Sequence, residues 1–184
     1  NDTEQEPNWI SELVKVAEKD EKIATLQPKF LALKNKKMFE YAGAAGGFMD
    51  IYGYPICQGR VFEDIEEDKG QYDTKREIFW GCGAAILIRM SVLKRIGYLD
   101  ETIGAYGEEL DLCWRTGLAG YKCLFIPKSI IYHLGSGSWG VKRLYFRKFY
   151  LTHRNHWMIL FKNYDKKTWL KILPMKFLLE AIAF

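Results

Sequence analysis

The stretch from Gly107 to His133 most limits what this chain can fold into. Glu108, Glu109 and Asp111 crowd the start of a segment whose apolar side, Leu110, Cys113, Trp114, Gly117 and Leu118, recurs at helical spacing. Carboxylates in a first helical turn are stabilised by the partial positive charge there, by roughly 0.3–1 kcal/mol each. Gly120 supplies the stop, and residues 121–126 and 130–133 then read as strands parted by a turn at Pro127. A helix feeding straight into apolar strands requires a mixed α and β architecture.

The rest of the chain agrees. Residues 9–19 carry Trp9, Ile10, Leu13, Val14, Val16 and Ala17 close to a helical stripe, with Pro7 and Asn8 as a start signal. Residues 23–29 read as a short strand ended by Pro28, and 34–37 as a turn. From 39 to 71 glycine-bearing pieces such as AGAAGG, YGYP and CQGR predict sparse regular structure. The carboxylates Glu63, Asp64, Glu66, Glu67 and Asp68 read as a solvated loop, with a metal site as the other reading. The apolar run 78–89 contains glycines suited to close backbone approach. Ser91 is the expected cap of a short helix over 92–96 that ends at Gly97.

Of the 184 residues, 48% are hydrophobic and 27% charged, which excludes a disordered chain. Aromatics reach 15%, more than a core of this size needs, and flat ligands such as sugar rings stack on such side chains. Core filling accounts for most of them. Cys57, Cys82, Cys113 and Cys123 form no CxxC pair, which points to thiols kept reduced and to a cytoplasmic setting.

Charge is uneven. From residue 142 onward ten Lys and Arg face two acids, a balance of +8 in a chain of net charge +4. Interleaved with Trp, Tyr, Phe and Leu, this tail predicts a helical segment, 142–184, distinct from the preceding 1–141. It suits an anionic membrane surface, the inner face of the plasma membrane, or equally a partner helix. The run 169–184 is too interrupted by Lys171, Pro174, Lys176 and Glu180 to span a bilayer. No nucleic-acid recognition motif accompanies the basic residues.

Several spaced motifs together resemble the second half of inverting family 2 glycosyltransferases. They are GYLDE at 97–101, EELDLCWR at 108–115, Gly120-Tyr121, Pro127 and Tyr132-His133. Upstream, FEYAGAAGG at 39–47, Gly53-Tyr54-Pro55, and Trp80 with Gly83-Ala84 are similar to the acceptor side of bacterial members that build surface polysaccharides. Downstream, Arg154-Asn155 and Lys162-Asn163 also fit. The resemblance implies a GT-A fold lacking its N-terminal nucleotide-binding half, so a fragment expected to be inactive alone.

It further implies an in-line displacement with inversion, from a nucleotide-sugar donor to a glycan or lipid-linked acceptor. The acceptor hydroxyl needs a base, and the departing diphosphate a divalent cation, Mn²⁺ or Mg²⁺. The base position falls on Glu109, where the family more often has Asp, with Glu108 beside it and Asp111 expected to hold Arg115 or the helix start. Asp2 and His133 match the metal ligands. Trp80, Gly83, Arg115 and Trp139 are the expected substrate contacts. The glycine-serine run 135–140 reads as a closing loop or a structural turn. A glycan-binding module on the same scaffold, without catalysis, is the rival expectation.

Overall fold

Two strands separated by about half the sequence form the centre of the computed structural model, which describes residues 2–135 and 142–183. In chain order the elements are β1 (Thr3–Gln5), α1 (Trp9–Ala17), β2 (Ile23–Ala32), β3 (Asn35–Phe39), β4 (Gly47–Met49), β5 (Pro55–Cys57), β6 (Arg60–Val61) and β7 (Asp64–Ile65). There follow β8 (Arg76–Ile78), β9 (Leu87–Ile88), α2 (Met90–Ile96), α3 (Glu108–Leu118), β10 (Lys122–His133), α4 (Lys142–Asn163) and α5 (Lys166–Ala183). The central sheet runs β1-β10-β2-β3, with β8 added to β10 and β9 to β2.

Strands β2 and β10 are parallel neighbours. A parallel pair covered on both faces must be apolar throughout rather than alternating, and every residue from Ile23 to Leu31 is buried. One face packs under α1, where Leu13 meets Ile23, Leu26, Leu124 and Ile126. The other carries the main core, including Phe30, Phe125 and Ile131 from the sheet, Leu110, Cys113 and Trp114 from α3, and Ile159, Leu160, Trp169 and Ile172 from α4 and α5. The C-terminal helices therefore share the core of the preceding residues.

Local expectations shift where distant strands decide the outcome. Pro28 does not end its strand. It lies where β10 skips register between Ile126 and Ile130, so a missing donor meets an interrupted ladder. The same irregularity makes residues 122–133 one strand, in place of two parted at Pro127. The short helix begins a residue before Ser91, with Arg89 at its cap position and the N–H groups of Val92 and Leu93 donating to the Arg89 carbonyl. Gly117 and Leu118 face solvent, and Thr116 turns inward. In the acidic loop, Asp68 is drawn to the buried Lys29 ammonium, 2.6 Å away. All four cysteines are buried free thiols.

Candidate active site

Glu109 stands in the first turn of α3, and the backbone before that helix is shaped for it. Gly107 has φ +95° at the cap position, and a Cβ there would come within 2.9 Å of Ile159 Cδ1, so only glycine fits. Tyr106 just before it takes φ +72°, a conformation a bulky residue adopts only when its surroundings force it. Both line a cavity of about 150 Å³ together with Glu109, Pro55, Trp80, Leu110, Thr152, His156 and Ile159. An apolar cavity of that volume accommodates one six-membered ring.

The Glu109 carboxylate is the acidic group of this cavity, and its Oε2 is buried without a hydrogen-bond partner. Gly83 packs against it: a Cβ there would lie 3.6 Å from the carboxyl carbon. Burial, seconded by the charge of Glu108, pushes Glu109 up to about 7, against nearby backbone N–H groups of Glu109, Gly83 and Gly107. Trp80 is fixed in the wall by its indole N–H, which donates to the Phe48 carbonyl at 2.9 Å.

A raised carboxyl has a stability consequence of definite sign. The unfolded chain gives up the Glu109 proton near pH 4.5 and the folded chain near 7, so folding becomes less favourable as pH rises between those values. The loss is roughly 3 kcal/mol, complete above pH 7 and absent below 4.5. Urea unfolding at pH 5 and pH 8 should show it, and Glu109→Gln should cancel this share of the difference. Parallel pH dependence in both proteins would refute the assignment.

A second cluster forms at the far end of β10. The pairing of Thr3 with His133 brings Asp2 alongside, and Asp2 Oδ2 lies 3.4 Å from His133 Nε2. Glu40 Oε2 lies 3.2 Å from Nδ1 on the other side, an ion-pair contact without the alignment of a hydrogen bond. The imidazole is held above its ordinary pKa chiefly by Glu40, against burial, with Asp2 adding to the effect. Two carboxylates around an imidazole are a donor set that suits Mn²⁺ or Mg²⁺. Among the described residues, no three His, Cys, Asp or Glu side chains are already spaced as a closed metal site.

Glu109 and His133 line separate cavities, and one buried amide joins the loops beside them. Gln27, fully enclosed in β2, donates from Nε2 to the Gly43 carbonyl at 2.9 Å and accepts from the Cys82 N–H at 2.9 Å. It thereby pins the loop that follows Glu40 to the loop that carries Gly83. The Cys82 thiol is pushed up mainly by burial, with the charges of Glu109 and Glu40 adding to the effect.

Other expected site residues take structural places. Asp111 lies outside the cavity, wholly buried, and accepts from Arg115 Nε at 2.8 Å, Lys162 Nζ at 2.9 Å and Asn163 Nδ2 at 3.0 Å. Helical periodicity turns it toward α4, so it anchors helices instead of facing the cavity. Arg115 is equally occupied: its guanidinium donates to the carbonyls of Ile96, Gly97 and Tyr98 and clamps the 96–98 bend. Glu108 does not line the cavity, although its Oε2 is buried without a partner. Trp139, with most of the glycine-serine run, lies outside the described residues. Glu40 and His156 are additions that no local pattern marks, although Glu40 sits in the FEYAG string.

No protein-family model matches the chain. In sequence it is 31% identical over 67 residues to the N-acetylglucosaminyl-diphospho-decaprenol L-rhamnosyltransferase of Mycobacterium tuberculosis, a match covering 36% of this chain and 22% of that protein. It is 40% identical over 50 residues to the pre-mycofactocin glycosyltransferase of the same species, covering 27% and 10%. The chain thus spans under a quarter of these relatives. In structure it is similar to GalNAc-T7, crystallised with UDP, GalNAc and Mn²⁺, with a TM-score of 0.52 over 71% of this chain and 25% of that one. At 19% identity that likeness is one of fold. The architecture is a partial GT-A-like α/β fold with C-terminal helices.

Proposed function

We propose that this chain is the acceptor side of an inverting, family 2 type glycosyltransferase with Glu109 as its general base. The observation that carries the reading is a buried carboxylate, poised near neutrality, in a ring-sized cavity walled by Trp80, Tyr106 and Pro55. A base works best when its pKa lies near the working pH. The acceptor hydroxyl oxygen attacks the anomeric carbon, its proton passes to Glu109, and the bond to the donor diphosphate breaks with both electrons leaving on the diphosphate. Asp2 and His133, with Glu40 behind, would hold a divalent cation, which neutralises diphosphate charge when bound.

The rhamnosyltransferase relative acts, by its name, on a diphospho-decaprenol, and a lipid-diphosphate-linked glycan is the acceptor proposed here. The protein in its full encoded length should transfer sugar from a nucleotide-sugar panel to such acceptors. Glycan binding with no transfer from any donor would instead make it the non-catalytic module.

A lipid-linked acceptor lies at a membrane, and α5 presents a surface for one. Leu170, Phe177, Leu178 and Ile182 are exposed at helical spacing, beside the exposed Lys167 and Lys171. No helix among the described residues is long and apolar enough to cross a bilayer. Docking to the anionic inner leaflet of the plasma membrane is therefore part of the proposal, with about 1 kcal/mol from each lysine near the surface. Lys171→Gln should weaken co-sedimentation with phosphatidylglycerol vesicles about fivefold. Binding indifferent to anionic lipid would remove this part.

A further inference from the structure

The acceptor cavity contains a second ionisable residue that the reaction above does not use. His156, on α4, lines the same cavity as Glu109. Its Nε2 contacts the Gly53 carbonyl, which can only accept, so the proton sits on Nε2 and the lone pair on Nδ1. Facing that lone pair at 3.5 Å is Lys176 Nζ, from α5. Lys176 has no exposed surface, lies 2.7 Å from Glu180 and stands 3.4 Å above the Tyr54 ring. Tyr54 in turn donates to Glu180 at 3.0 Å.

We propose that His156 is a positioning residue of the acceptor site, its tautomer fixed by the Gly53 carbonyl and its second protonation opposed by burial and the Lys176 ammonium, so that Glu109 remains the cavity's one acid-base group. A second proton on Nδ1 would point at an ammonium. It would also place a cation in the cavity with the base, and a cation there favours ionised Glu109 and weakens it as a base. The other ionisable groups facing His156 are Tyr54 from the β4–β5 turn, Glu180 from α5 and His153 from its own helix. Burial first, then Lys176, outweigh the Gly53 carbonyl and Glu180, both of which favour the charged ring, and hold the imidazole down to about 4. The lock also joins three elements, since Gly53 lies two residues from the cavity-lining Pro55. On this view α4 and α5 are part of acceptor recognition, and the site takes an uncharged ring.

The role in acceptor positioning rests on the glycosyltransferase reading, whereas the protonation state of His156 is tested without it. With three histidines in the sequence, imidazole resonances can be followed individually. The chain as it stands should show His156 as an Nε2–H tautomer that does not titrate between pH 5 and 8. Lys176→Met should restore a titration between pH 5 and 7, and Lys176→Arg should leave it suppressed. In the full-length transferase, Lys176→Met should shift the acidic limb of the pH–rate profile down by about one unit. In a His156→Gln background the same change should shift nothing, which separates the charge effect from a packing defect. A titrating His156 in the parent, or a Lys176→Met shift that persists without His156, would overturn the proposal. A missing limb in the parent, with the resonances behaving as stated, would instead count against Glu109 as base. Should Lys176→Met not fold, Lys176→Gln makes the same test.

Discussion

On the proposed function, Glu109→Gln should lower turnover by about 10²-fold or more while leaving the acceptor KM nearly unchanged. Glutamine keeps the volume and the hydrogen-bonding reach of the side chain in its cavity and removes only the capacity to take a proton. Activity of the parent should rise with pH along a single acidic limb near the point where Glu109 ionises, about 7. The direction follows from the role: a base must be deprotonated to act, so activity is lost as pH falls. Glu109→Asp is the informative companion, because it supplies the residue commoner in the family that the sequence resembles but shortens the side chain by one methylene. If Gly83 and Gly107 set the backbone distance for glutamate, Asp should recover the limb but only part of the rate. Turnover unaffected by Glu109→Gln would end the base assignment.

What the sequence reveals about this fold follows the range of the forces involved. The helix at 108–118 was legible because its stop, its apolar spacing and its N-terminal carboxylates act within a few residues of one another. The central strands were legible as apolar runs, but their extent was not. Pro28 is tolerated because β10, about a hundred residues later, breaks register opposite it, and nothing near Pro28 signals that. The site divides in the same way. Glu109, His133 and Asp2 could be named from a string resemblance, and the structure sets Asp2 beside His133, while Glu109 lines a different cavity from His133. Glu40 and His156 acquire their places only from tertiary approach. Arg115 and Asp111 sit in a motif that reads as a site, yet their partners on the 96–98 bend and on α4 show them holding the helix that carries Glu109.

That last role predicts the largest effect on stability. Asp111 is fully enclosed, and its two oxygens receive Arg115, Lys162 and Asn163, while Lys162 also reaches Asp100 at 2.7 Å. Asp111→Ala takes away the acceptor, leaving the Arg115 guanidinium without a counter-charge and Lys162 with Asp100 alone. The cost should be about 3 kcal/mol, the lower end for breaking a buried pair, because Lys162 is partly exposed and retains Asp100 while Arg115 retains three carbonyl acceptors. Asp111→Asn keeps an uncharged acceptor oxygen for Arg115 and Lys162, turns an amide N–H toward Asn163, and should cost less, about 1–2 kcal/mol. Chemical denaturation of the two variants gives the ordering. If Asp111 were instead a group of the reaction, Asp111→Asn would fold at near-parental stability and lose turnover as deeply as Glu109→Gln. The anchor role requires the opposite pattern: stability falls first, and activity follows it only as far as α3 loses its hold on α4.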